Sequence, residues 1–259
     1  MRFVAAFRFL TVIPLPIRRE ATPEQVGGSV VYFPAVGLII GLISVAVWWL
    51  MDSYVPPPLN TALLLVAMVL INGALHLDGF IDTCDGLAGN KTVEERWRVM
   101  RDSRVGAFGI VGAVLLILAK YLALDTLAGS DLFVASLLLM PVVSRWAIVY
   151  AIMAYPYARP SGLGTVFKQQ MNWRKFAVAT AFALAVSVGL SAVPGAEHDY
   201  LFGLAPLVGV WIVISAWAAY LKWKFAGLTG DSYGAINEVA EVGVLIIANV
   251  LVFNGWLGG

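Results

Sequence analysis

The sequence predicts an all-α fold, a polytopic integral membrane bundle of about seven transmembrane helices with a further N-terminal interfacial helix. Two observations predict it. Of the 259 residues 60% are hydrophobic and 13% charged, with a mean hydropathy of +0.84, far from the usual composition of a water-soluble domain. Seven apolar stretches, 29–52, 59–77, 105–128, 131–154, 175–194, 200–221 and 238–257, are each long enough to cross about 30 Å of hydrocarbon as a helix.

The segments can be justified in chain order. Phe3, Phe7 and Leu10 recur at helical spacing before Pro14 and Pro16, which predicts a short helix at the inner interface; no small-residue cleavage site marks a signal peptide. VPPP at 55–58 is a plain turn after the first span. Thr92 with Glu95 forms a capping box that starts a connecting helix, with Val93, Trp97 and Met100 on one face and Arg96, Arg98 and Arg101 around it, facing headgroups or an anionic ligand. No internal repeat or soluble appendage interrupts the chain.

Basic residues set the orientation. Arg2, Arg8, Arg18 and Arg19 precede the first span. Lys91, Arg96, Arg98, Arg101 and Arg104 lie between the second and third, Arg159, Lys168, Arg174 and Lys175 between the fourth and fifth, and Lys222 and Lys224 between the sixth and seventh. The other connections carry only acids: Asp52, Asp125, Asp131, Glu197 and Asp199. The positive-inside rule therefore places the N-terminus in the cytoplasm and the C-terminus outside. Lys120 and Arg145 fall inside spans. Lys120 is expected to snorkel outward or meet Asp125, and Arg145 needs an anionic partner within the bundle.

Four polar clusters lie at the inner ends of spans. In HLDGFIDTCDG (76–86), Asp78, Asp82 and Asp85 share about 60° of a helix, while His76 falls on another side. Two carboxylates about 6 Å apart repel by roughly 3 kcal/mol at an effective dielectric near 20, so a cation belongs there, and Mg²⁺ shared with a phosphate substrate suits oxygen donors. Cys84, among these acids, reads as a small filler. The second cluster is Arg101, Asp102, Ser103 and Arg104, followed by Gly106 and Gly109, whose amides could approach an anion. The third is Arg159, Gly162, Gly164 and Lys168, a lid or phosphate contact or else an ordinary basic loop. The fourth is GLTGDSYGAINEVAE (227–241), with Asp231 in a glycine-rich turn and Glu238 and Glu241 at the start of the last span, completing a metal site or supplying a base. Together they fit metal-assisted phosphoryl transfer.

These motifs, with RVMRDSRVGAFG (98–109), ARPSGLG (158–164), the FLTVIPLP start and FPAVGLIIG (33–41), resemble the cobalamin synthase family, the adenosylcobinamide-GDP ribazoletransferases, over nearly the whole chain. The resemblance implies a single membrane-embedded transferase domain, 1–259, that is Mg²⁺-dependent. It would transfer the phosphocobinamide group of adenosylcobinamide-GDP to α-ribazole or its 5′-phosphate, releasing GMP. By the same resemblance Asp78, Asp82 and Asp85 are metal ligands or the general base. Arg101, Asp102 and Arg104 contact phosphate or metal, and Asp231, Glu238 and Glu241 stand opposite. Ser103, Arg145, Arg159 and Lys168 join the substrate-binding set. The partners implied are the two substrates and the lipid bilayer, with no nucleic acid, and a complex with other cobalamin-assembly enzymes is compatible. The location is the cell inner membrane, with the site cytoplasmic. Cys84 and Ala226 depart from the expected Ala and Gly. A CDP-alcohol phosphotransferase shares the logic, but Asp78-Gly79 is not followed by its Ala-Arg pair, and a cation-coupled transporter would carry paired repeats and midplane acids.

Overall fold

The computed structural model describes residues 1–17, 20–191 and 200–255, which leaves Arg18, Arg19, Glu197 and Asp199 outside the described residues. The chain runs α1 (Arg2–Leu10), α2 (Pro23–Gly27), a 3-10 turn (Gly28–Tyr32), α3 (Phe33–Asp52), α4 (Pro57–Ile71), α5 (Leu75–Leu87), α6 (Val93–Val99) and α7 (Ala107–Leu127). It continues through α8 (Phe133–Ala154), α9 (Leu163–Gln170), α10 (Trp173–Leu190), α11 (Tyr200–Phe225) and α12 (Gly230–Phe253). Among the described residues there is no strand, only a parallel bridge between Tyr157 and Leu228. Six helices are long and apolar enough to cross a membrane, and α4 with α5 makes a seventh if the bent pair is one span.

Helix α8 is the axis of the bundle. Its most apolar window is 78% buried, against 17% for α10. Helix α3 packs directly onto its backbone through Gly37 and Gly41; a Cβ on Gly41 would stand 2.9 Å from the Leu137 carbonyl oxygen. Pro141 of α8 lies in the same contact and removes the amide that would otherwise bond Leu137.

The second expected span does not run straight. Helix α4 has 15 residues, about 22 Å, and α5 leaves it at 89°. Gly73 and Ala74 take φ of 58° and 56°, left-handed values at which a helix cannot continue and which cost alanine about 1–2 kcal/mol. The freed Ile71 carbonyl accepts the Val12 amide at 2.9 Å, so the segment after α1 is stitched to the break. Helix α1 forms as expected, but Ala5, Ala6, Phe7 and Leu10 are buried against protein rather than lying along lipid.

The last span begins earlier than its apolar run. Thr229 and Ser232 form a reciprocal capping box at 3.1 and 3.2 Å, so α12 starts at Gly230. Asp231 therefore sits in a first helical turn, and Glu238 and Glu241 lie about 10 and 15 Å further along the axis.

Candidate active site at the basic end of the bundle

Helices α5 and α12 cross with their backbones in contact, and glycine permits it. A Cβ on Gly79 would meet the Asp231 carbonyl oxygen at 2.9 Å, and one on Gly234 would meet the His76 carbonyl oxygen at 2.9 Å and the Gly79 Cα at 3.2 Å. The crossing brings Asp231 beside Asp78 and Asp82. Asp82, half-buried, lies in the field of Asp78, Asp231 and Asp85, and Arg159 is the cation that acts on it. Arg159 donates to Asp231 Oδ2 at 2.9 Å. Its loop is held by the bridge in which Ala158 donates to the Leu228 carbonyl at 2.8 Å and Leu228 to that of Pro156 at 2.9 Å. One guanidinium thus faces several carboxylates, an excess of negative charge that favours a divalent cation. Among the described residues no three His, Cys, Asp or Glu side chains close a complete metal cage.

Asp85 is used differently. Its oxygens accept the Gly106 amide at 2.7 Å and the Gly109 amide at 2.8 Å, so it caps the start of α7, and it is buried. A Cβ on either glycine would strike that carboxylate. The anion expected at these glycines is therefore supplied by the chain itself. Cys84 packs on Gly112, in keeping with a small filler.

The structure does not bring Glu238 and Glu241 to the aspartate face, and this corrects their expected place opposite Asp78 and Asp82. Lys120 Nζ donates to Glu238 Oε2 at 2.6 Å and to Glu241 Oε2 at 2.7 Å, rather than snorkelling or reaching Asp125. Arg145, fully buried, is ion-paired to Glu241 Oε1 and donates to Ser144 Oγ at 2.9 Å. Asn237 adds a donor to Glu241 at 3.2 Å. Arg145 thereby has the anionic partner a bundle demands. Two cations and two anions make this cluster neutral, which is how ionised groups survive at such depth.

The basic loops divide as well. Asp102 and Arg104 pair with each other at 2.7 Å in an exposed loop, and hydrogen bonds from Arg104 hold the Asp102 carboxyl down to about 2. Arg101 and Ser103 are exposed beside them, and the charge of Arg101 reaches Tyr157. Lys168 is not a free phosphate contact: it donates to the Ile152 and Met153 carbonyls at 2.7 and 3.1 Å, closing the end of α8, and burial lowers its pKa. Arg96 does the same for α5, donating to the Gly86 and Gly89 carbonyls at 2.6 and 3.1 Å instead of facing headgroups.

Sequence reasoning missed the pocket beside the acids. Phe9 of α1, Phe33 of α3 and Phe167 of α9 pack edge-to-face or stacked at 5.1 to 5.7 Å and wall a cavity of about 180 Å³ that opens at Asp78 and Asp231. The three phenylalanines come from segments far apart in the sequence, and nothing in their local spacing joins them.

A bundle of long apolar helices with polar side chains gathered at one end defines a multi-pass membrane protein of enzymatic type. A model of the cobalamin-5-phosphate synthase family matches residues 2–249, and the chain belongs to that family. Among its relatives, a Roseiflexus sp. (strain RS-1) protein is 36% identical over 239 residues, covering 92% of this chain and 85% of its own. A Synechococcus elongatus protein is 39% identical over 241 residues, 92% and 91% of the two chains, and one from Pseudomonas putida KT2440 is 35% identical over 249 residues, 94% and 96%. All three carry the name adenosylcobinamide-GDP ribazoletransferase. No solved structure matches the chain.

Proposed function

We propose that this chain transfers the phosphocobinamide group of adenosylcobinamide-GDP to α-ribazole or α-ribazole 5′-phosphate. The acceptor hydroxyl oxygen bonds to the cobinamide-side phosphorus, the bond from that phosphorus to the bridging oxygen breaks, and GMP leaves carrying the bridging oxygen. The observation that carries this reading is the meeting of Asp78, Asp82 and Asp231 at an open end of the bundle with Arg159 as their counter-charge.

The unbalanced carboxylates suit Mg²⁺, because that ion binds through one or two carboxylates and leaves its other positions to water and substrate phosphate. When bound, it supplies charge neutralisation of the diphosphate. One or two of Asp78, Asp82 and Asp231 would hold it, and a remaining carboxylate of the group takes the proton of the attacking hydroxyl. Arg159 orients Asp231, while Arg101 and Arg104, on the loop at the same end, hold diphosphate oxygens. Asp85, Lys168 and Arg96 shape the site by tying off the ends of α7, α8 and α5.

The direct test is release of GMP from adenosylcobinamide-GDP by detergent-purified protein on adding α-ribazole and Mg²⁺. Folded protein that releases none overturns the reading. The site faces the cytoplasm across the inner membrane in this proposal, so a cysteine at Asn90 labels from inside and one at Pro57 from outside; the reverse pattern overturns the orientation.

A further inference from the structure

The cavity walled by Phe9, Phe33 and Phe167 is apolar in its depth and acidic at its mouth. Ile148 adds to the buried apolar lining, while Leu163 and Asp78, both exposed, and the half-buried Asp231 stand on its solvent side. At about 180 Å³ it exceeds the roughly 150 Å³ of a Leu/Ile/Phe-lined cavity that takes up benzene. Gly79, Gly164 and Gly234 leave flat backbone along its sides.

Two polar groups in the lining are unaccounted for, the Tyr233 hydroxyl and the His76 imidazole. His76 is 4% exposed, and neither ring nitrogen has a hydrogen-bond partner. An imidazole buried this way forfeits about 1–3 kcal/mol for each unmade bond, unless something else supplies a partner. Its ring also borders a small cavity beside Lys120, Glu238 and Glu241, so a water can serve one nitrogen and leave the other for a ligand.

We propose that this pocket seats the flat aromatic base of the nucleoside acceptor, with a His76 ring N–H donating to the base's one free ring nitrogen and the ribose hydroxyls emerging at Asp78 and Asp231. The inference rests on the transferase reading above and deepens it by separating acceptor from donor. A dimethylbenzimidazole attached through one ring nitrogen presents two methyl groups and a single acceptor, which suits a pocket walled by phenylalanine whose unpartnered polar groups are His76 and Tyr233 alone. Guanine, the base of the donor, carries O6 and N7 acceptors and N–H donors along its edge and would leave most of them unpaired against phenylalanine. Asp231 is held by Arg159 and Asp78 is exposed at the mouth, so neither offers guanine an edge within the apolar depth.

The test is binding of α-ribazole to the full chain in detergent, without donor or Mg²⁺, followed by ligand-observed NMR. Wild-type protein should bind α-ribazole, and guanosine at equal concentration should not displace it. Phe167→Leu, or Phe9→Leu if the first fails to fold, should weaken binding about tenfold and raise the α-ribazole KM alike, leaving the adenosylcobinamide-GDP KM within about twofold. An indole riboside, with C–H in place of the free ring nitrogen, should bind about tenfold more weakly than α-ribazole to wild-type and equally well to His76→Phe. Displacement by guanosine, or a rise in the donor KM instead of the acceptor KM, overturns the assignment; a preference for α-ribazole that survives His76→Phe overturns the role of His76. Protein that binds α-ribazole yet releases no GMP removes the transferase reading and keeps the pocket. Protein that releases GMP with an unchanged α-ribazole KM in both phenylalanine variants does the opposite.

Discussion

Two acidic clusters share helix α12 and have opposite characters. At its first turn Asp231 meets Asp78 and Asp82 with Arg159 in attendance, half-exposed and short of positive charge. Two to three turns on, Glu238 and Glu241 are buried and matched one for one by Lys120 and Arg145. Both clusters are built from carboxylates, and α12 contributes to each. What separates a group free to bind a ligand from one that holds helices together is the local balance of charge. The first cluster leaves negative charge unmatched within the chain, while the second is already complete.

The sharpest way to break this comparison is to neutralise one acid in each cluster. Asp82→Asn and Asp231→Asn should each lower GMP release by about 10²–10³-fold while the melting temperature in detergent barely moves. A near wild-type rate in both would erase the functional side of the contrast. Glu241→Gln should act in reverse order, on folding first: it leaves Arg145 buried without its anion, at a cost of about 3–5 kcal/mol, read as a fall in melting temperature and folded yield. Arg145→Met added to Glu241→Gln should recover a substantial part of that loss, because the pair is then removed together, and a double-mutant cycle measures the coupling. Strict additivity would show that the ion pair does not join α8 to α12.

The smallest expected effect lies just ahead of the aspartate end of α12. Ala226 holds a φ of 58°, where glycine is at ease. Ala226→Gly should stabilise by about 0.5 kcal/mol, the relief of left-handed strain less the added freedom of the unfolded chain. A drop in melting temperature would mean that the Ala226 methyl is a needed contact.

The spans and the aspartate face were legible because their signals are local: a run of apolar residues, and acids four and three apart. The departure at Ala226 was legible too, and its left-handed φ supplies the reason a glycine is expected there. The break at Gly73–Ala74 was hidden because both residues suit an apolar span and only their backbone angles end it. The early start of α12 was hidden for the converse reason, since Gly230, Asp231 and Gly234 read as a turn until the Thr229 cap and the crossing with Gly79 explain them. Glu238 and Glu241 were misplaced because their counter-charges lie 96 to 121 residues away along the chain, beyond the reach of any spacing rule. Phe9, Phe33 and Phe167 were unremarked for the same reason: in so apolar a sequence an aromatic ring that lines a cavity looks like one that faces lipid.

The amide of Val12 bonded to Ile71 bears on how this protein should be handled. The opening dozen residues supply Phe9 to the cavity and fasten the elbow from which the aspartate-bearing helix departs. Trimming them, or fusing a bulky purification handle ahead of Met1, is thus an intervention at the end proposed to be catalytic, and a sluggish preparation so altered would report on the handle rather than on the enzyme.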